Sequence, residues 1–286
     1  MNNLLRTMTL KFLSILLCLS LALSTAAQEN VLKVLAIGNS FSEDAIENYL
    51  FDLAKATNKQ IIIGNLYIGG APIELHVNNI KDNKASYAYR KIGIDGVKTN
   101  TKNTSIEQAI TDESWDYISL QQASPLSGQY NVIMEKLPEL VDQVNKLKAK
   151  NTKLIYHQTW AYQQDSPHKG FANYDNDQIK MYKSIADATK KINKSEVFEM
   201  VIPAGSAIQN ARTSTLGDTF TRDGYHLQLD YGRFTAACTW YEKLFHEDVR
   251  KNPYKPEKIT QEQASIAKEA AHKAVKSPWK ISRINK

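Results

Sequence analysis

The chain has 286 residues, with 36 Lys and Arg against 30 Asp and Glu, a net charge of +6 and two cysteines. Its lysines are interleaved with acids, and the densest cluster, NKLKAKNTK, ends an amphipathic helical pattern where the helix dipole favours cations. The positive excess therefore reads as a solvated face and gives no ground for a nucleic-acid partner. No internal repeat, low-complexity block or Pro/Ser/Gly linker divides the sequence, which excludes a repeat array and favours one domain over residues 28–286.

Residues 1–27 have the order of a secretory signal peptide: the weakly basic MNNLLRTMTLK, the short apolar FLSILLCLSLAL and the small residues of STAAQ, with cleavage expected after Ala27. The apolar run is too short for a membrane span, and Leu17 stands where a lipoprotein signal would carry a small residue before Cys18. A secreted or periplasmic location is expected, with no stable membrane insertion after signal removal. Cys238 is then the only cysteine, so no intramolecular disulfide can form and stability must come from core burial. About 260 residues suffice for one sizeable core.

Leu32 to Gly38 is a continuous apolar run ending in glycine, the pattern of a strand buried on both faces. Similar runs recur in QIIIGNLYIG, WDYISLQ, KLIYHQTW and SEVFEMVIP. Helical patterns alternate with them over 43–57, 72–81, 106–110, 132–148, 178–192 and 205–211, followed by two more helices over 229–245 and 260–275. The alternation predicts an α/β fold, a three-layer α/β/α sandwich around a central, mostly parallel five-stranded sheet. A small β-hairpin insertion with an Asp95-Gly96 turn is expected near 86–101. The aperiodic AYQQDSPHKGFANYDND reads as a long surface loop, and such loops in compact domains often carry function.

In an open parallel sheet, ligands bind at the C-terminal ends of the strands. The loops there hold Ser40, Gly69-Gly70 and Gln121-Gln122. Ser40-Phe41-Ser42-Glu43 also fits the S-x-x-E capping box, so local sequence leaves Ser40 open as a helix cap or a nucleophile. A serine attacks an ester only when a neighbouring base takes its proton and a third group orients that base. TFTRDGYHLQLDYGR offers such a pair in Asp223 and His226, three residues apart on a turn.

The blocks IGNSFS, IGGAPIE, LQQAS and DGYH, in this order over most of the chain, resemble those of the SGNH (GDSL-like) hydrolase superfamily. Their wording is closest to the branch of exported bacterial proteins grouped as DUF4886. The resemblance implies Ser40 as nucleophile, His226 as general base and then acid, and Asp223 as its orienter. It also implies an oxyanion hole made by the backbone N–H groups of Ser40 and Gly70 and by a third-block side chain, with glycine at 70 letting the backbone approach closely. The superfamily carries G-x-N-D in that block; here Gln122 substitutes for the asparagine, with Gln121 close behind, while the alternative is that both glutamines satisfy loop backbone. Asn39 replaces the commoner aspartate before the serine.

Ser42 is a rival nucleophile, and G-x-S-x-G is not met because Ser42 takes the second glycine's place, which disfavours an α/β-hydrolase. His157 and His76 read as core histidines, no metal-ligand spacing is present, and neither metal nor other cofactor is expected. Trp160, Tyr162, Phe171 and Tyr174 could wall a sugar site or bury themselves to pin the loop, with Trp160, Tyr162 and Gln121 as candidate substrate contacts. Two functions remain: a secreted serine esterase removing O-acyl groups, O-acetyl above all, from a small-molecule or glycan ester; or a non-catalytic carbohydrate- or anion-binding protein on the same fold. Oligomeric state is not readable.

Overall fold

The computed structural model describes residues 31–285, so the expected signal segment lies outside the described residues. Seven strands form one sheet: β1 (Leu32–Gly38), β2 (Ile61–Tyr67), β3 (Tyr87–Ile92), β4 (Lys98–Thr104), β5 (Tyr117–Leu120), β6 (Lys153–His157) and β7 (Met200–Ile202), in the order β4-β3-β2-β1-β5-β6-β7. Val34 to Ile37 of β1 are all at most 2 % exposed, so both faces of this central strand need a helical cover. The five strands other than β3 and β4 are parallel and are the five predicted, in flavodoxin-like order.

The hairpin corrects the expected strand count. It joins the main sheet, β3 pairing antiparallel with β2 and with β4. Tyr87 and Tyr89 of β3 are buried with Leu66 and Trp115 in the core on one sheet face, and that burial holds the hairpin on. β4, KTNTKNT, is polar and exposed over most of its length, which makes it a protected edge.

The helices are α1 (Ser40–Ile46), α2 (Leu50–Lys55), α3 (Ile73–Lys81), α4 (Ile106–Thr111), α5 (Tyr130–Leu147), α6 (Gln178–Asn193), α7 (Ala204–Ala211), α8 (Tyr231–Phe245) and α9 (Gln261–Lys276). Buried residues of α1, α2, α7, α8 and α9 form one core cluster, and those of α3, α4 and α5 the other. Helix α6 contributes to both, with Met181 and Ile185 in the first and Ala188 and Ile192 in the second.

The single helix predicted over 43–57 is two. Between them the Asn48 side-chain amide donates to the Glu43 carbonyl, and Glu47 turns its carboxylate inward to Asn65, Arg90 and Lys98. That inward turn ties α1 to the hairpin and stops the helix. No helix among the described residues is long and apolar enough to cross a membrane.

Candidate active site

β1 ends at Gly38, and the next two residues decide how the chain enters α1. Asn39, extended at φ −146°, is the N-cap, its Oδ1 accepting from Phe41 N–H at 3.0 Å. The capping box expected of Ser40 is therefore not formed, because the cap falls one residue earlier. Ser40 is the first helical residue, so its N–H has no acceptor within the helix. Its hydroxyl faces the imidazole: Ser40 Oγ lies 2.9 Å from His226 Nε2.

The turn carrying His226 is built by Asp223. One carboxylate oxygen accepts from the backbone N–H groups of Tyr225 (3.2 Å) and His226 (2.8 Å), while the other lies 2.6 Å from His226 Nδ1. With Nδ1–H donating to Asp223, Nε2 is left to accept from Ser40. Burial pushes the Asp223 carboxyl up, but the hydrogen bonds from the His226 side chain and from the two backbone groups outweigh it and hold the group below the usual carboxylate range.

Asp44 joins this turn to the serine. It sits one turn after Ser40 on α1, its side chain fully buried, and accepts from Leu227 N–H at 2.8 Å, Arg222 Nη1 at 3.1 Å and Arg233 Nε at 2.8 Å. A carboxylate buried to this degree needs such charge-assisted partners. The ion network thus clamps both ends of the Ser40–His226 contact to one another.

Ser40, His226, Asn39, Gly70 and Ser124 share a cleft of about 320 Å³ whose wall also includes Tyr67, His168 and Tyr225. Gly70 has φ +66°, a left-handed backbone that favours glycine, and the space where a Cβ would stand is open. A larger depression of about 510 Å³ lies by Lys153 at the start of β6 and contains none of the predicted residues.

Several expectations are corrected. Gln122 is not among the residues that line the cleft: its side-chain oxygen accepts from Ile73 N–H (3.0 Å) and Ala123 N–H (2.8 Å), and Ala123, Ser124 and Pro125 line the cleft instead. Gln121 does not line the cleft either; it donates to Asn39 Oδ1 at 2.8 Å and holds that amide in place. Trp160 and Tyr162 are fully buried, so they pin the loop rather than wall the substrate. Trp160 Nε1 donates to the Tyr225 carbonyl at 2.7 Å, and the Tyr162 hydroxyl lies 2.8 Å from Ser124 Oγ. Phe171 and Tyr174 are buried as well.

Ser42 is fully buried, its Oγ bonded to the Asn39 carbonyl and the Asn65 side-chain oxygen, both at 2.8 Å, so it has no path to a substrate. His157 and His76 are core histidines, pushed by burial down to about 3 and about 4. Their Nδ1 atoms lie 2.8 Å from Gln121 Oε1 and from the Tyr87 hydroxyl respectively.

Glu242, Asp248 and His272 do bring ligand atoms within 4.8 Å of one another, a grouping that sequence spacing did not reveal. Arg250 on Asp248 and the Val249 N–H on Glu242 already supply the donors that a cation would replace. Sequence reasoning also missed Asp44, His168, Tyr225 and Tyr67. Asp44 had one signal, a carboxylate one helical turn after the serine.

The domain of unknown function DUF4886 matches residues 33–274. A crystal structure of a DUF4886 family protein from Bacteroides uniformis is 52 % identical, covering 89 % of this chain and 98 % of that one, with a TM-score of 0.88. Two other solved structures are far less similar. A candidate SGNH hydrolase from Slackia heliotrinireducens is 18 % identical over 74 % of this chain and 98 % of that one, with a TM-score of 0.47. A catalytic mutant of an acetylxylan esterase from Geobacillus stearothermophilus is 13 % identical over 74 % and 93 %, with a TM-score of 0.45. At that distance neither bears on activity or substrate. No curated protein matched. By the extent of the family match, with its triad-like residues and its glutamine-bearing third block inside it, the chain belongs to the DUF4886 family.

Proposed function

We propose that the protein is an exported SGNH-type serine esterase that removes O-acyl groups, chiefly O-acetyl, from carbohydrate through a Ser40-His226-Asp223 acyl-enzyme mechanism. The observation that carries the reading is the continuous chain from Ser40 Oγ to His226 Nε2 at 2.9 Å and from His226 Nδ1 to Asp223 at 2.6 Å. An anion or sugar site would need no base aligned on a serine, so binding without chemistry is the weaker reading.

In the proposed reaction Ser40 Oγ attacks the ester carbonyl as its proton passes to His226 Nε2. The carbonyl oxygen becomes an oxyanion that accepts from the N–H groups of Ser40 and Gly70. Asn39 takes the side-chain donor role expected of Gln122: it lines the cleft, and one amide hydrogen goes to the Ala71 carbonyl at 3.1 Å, leaving the second. Collapse of the tetrahedral intermediate breaks the bond to the alcohol, which departs with the proton from His226. Water then attacks the acyl group, giving up a proton to His226, and acid and free Ser40 are regenerated.

Assay of the mature protein on p-nitrophenyl acetate and an acetylated oligosaccharide, beside Ser40→Ala and His226→Ala, tests the reading. Each variant is expected to lose at least about a thousandfold in kcat. Wild-type rates in either variant, or no hydrolysis of any ester by the parent protein, would contradict it.

A further inference from the structure

His168 is the one cleft-lining histidine that the proposed mechanism does not use, and the fold fixes both its position and its proton. Its Nδ1 accepts from Gly170 N–H at 3.0 Å, so the neutral ring carries hydrogen on Nε2 and can only donate from that atom. The ring packs against both Tyr162 and Tyr225, each with a centroid distance of 4.8 Å. Tyr225 in turn contacts His226 at 4.2 Å, so one aromatic ring touches both histidines. Burial first, and then the neighbouring His226, lower the His168 pKa, which keeps the imidazole neutral.

The segment that bears His168 is docked on the third block. A Cβ on Gly170 would stand 2.3 Å from Pro125 Cβ, so only glycine permits this approach. Asn173 Nδ2 and the Tyr174 hydroxyl both donate to the Pro125 carbonyl, at 2.9 and 3.2 Å. Gln163 N–H donates to the Gly224 carbonyl at 2.8 Å, fastening the start of the loop to the catalytic turn. His168 is therefore a preset donor rather than a mobile surface group.

Its side of the cleft identifies what it meets. The alcohol of an ester must leave beside His226, because that imidazole returns the proton to it, whereas the acyl oxygen lies towards Ser40 N–H and Gly70 N–H. We propose that His168 is a specificity-determining residue whose Nε2–H donates to an acceptor oxygen on the alcohol portion of the ester, selecting polyhydroxylated leaving groups such as sugar rings. The inference rests on the esterase reading for the direction of the alcohol. Tyr225, beside both histidines, supplies the aromatic surface on which such a ring can rest.

The test compares the parent protein with His168→Ala and His168→Gln on an acetylated oligosaccharide and on phenyl acetate, whose leaving group has no second oxygen. The ratio of kcat/KM for the sugar ester to that for phenyl acetate should fall at least tenfold in His168→Ala, and His168→Gln, which keeps a donor, should recover part of it. A ratio within twofold of the parent in both variants would overturn the proposal. Independently of turnover, the affinity of Ser40→Ala for the acetylated oligosaccharide, measured by calorimetry, should fall at least fivefold when His168→Ala is added. Equal affinities, or no binding by Ser40→Ala, would also overturn it. If the parent hydrolyses neither ester while His168-dependent binding persists, the esterase reading fails and the sugar subsite stands.

Discussion

Asp44→Asn is the substitution that bears hardest on how this site is held together. The carboxylate is fully buried and accepts from Leu227 N–H, Arg222 and Arg233, while the guanidinium-bearing side chains keep 32 % and 15 % of their exposure. An asparagine of the same shape removes the charge and turns an NH₂ group towards donors. Breaking a buried pair costs about 3–5 kcal/mol, and since both arginines can regain some water the lower end applies, about 3 kcal/mol. Against a typical total of about 5–15 kcal/mol the variant should still fold. The turn would no longer be clamped to α1, and on the proposed mechanism a misplacement of about 1 Å between His226 and Ser40 lowers kcat roughly tenfold to a hundredfold. Urea unfolding at pH 7 and ester turnover on the same preparation measure both effects, with Asp187→Asn, an exposed carboxylate paired to Lys191, as a control expected to change stability by less than about 0.5 kcal/mol. A loss below about 1 kcal/mol together with an unchanged kcat would refute the clamp.

Three further outcomes follow from the same geometry. Asp223→Asn should leave the fold intact but lower kcat by about 10²–10⁴, because an amide in place of the carboxylate no longer fixes the His226 tautomer; steady-state kinetics showing less than about a tenfold loss would contradict that role. Asn39→Ala should lower kcat by about 10²–10³ beyond the roughly 1 kcal/mol of lost cap, whereas Gln122→Ala should chiefly destabilise, by about 1–2 kcal/mol, through two abandoned backbone N–H groups. The reverse ranking in kcat would restore Gln122 as the oxyanion donor. Stability should also fall as pH is lowered from about 6.5 towards 4, since burial depresses His76 to about 4 and His157 to about 3, and the unfolded chain takes up protons that the fold refuses. Two such groups together cost about 2 kcal/mol between pH 6.5 and 5.5, so urea midpoints that coincide at these two pH values would show that neither histidine is buried neutral.

Much of this fold was readable because its signals are periodic. Continuous apolar runs marked the five parallel strands, since a strand covered on both faces has no polar side to show. The hairpin's inclusion in the sheet was not readable, because it depends on Tyr87 and Tyr89 packing with Trp115 from a distant part of the chain. The break between α1 and α2 was hidden for a similar reason: Glu47 turns inward to meet Lys98 and Arg90 on the hairpin. Ser40, Asp223 and His226 were found as a set by order and resemblance rather than by any one spacing. Their convergence required the sheet to bring Ser40, just after the first strand, beside His226, 186 residues later.

The loop aromatics illustrate the limit. Trp160 and Tyr162 sit in a segment without a period, so nothing local says whether an aromatic faces water or core. Their indole and phenol groups find partners in the Tyr225 carbonyl and Ser124, which makes full burial inexpensive. Gln121 and Gln122 were misassigned for the same reason: a buried amide that anchors a loop and an amide that greets a substrate look identical in sequence.

The identity of the nucleophile is tested most directly by covalent labelling with a serine-directed fluorophosphonate, with the modified residue located by peptide mass spectrometry. One adduct is expected, on Ser40, whose formation is lost when His226 is replaced by alanine. An adduct on Ser42, an adduct that forms as fast without His226, or none at all with the folded protein would contradict it.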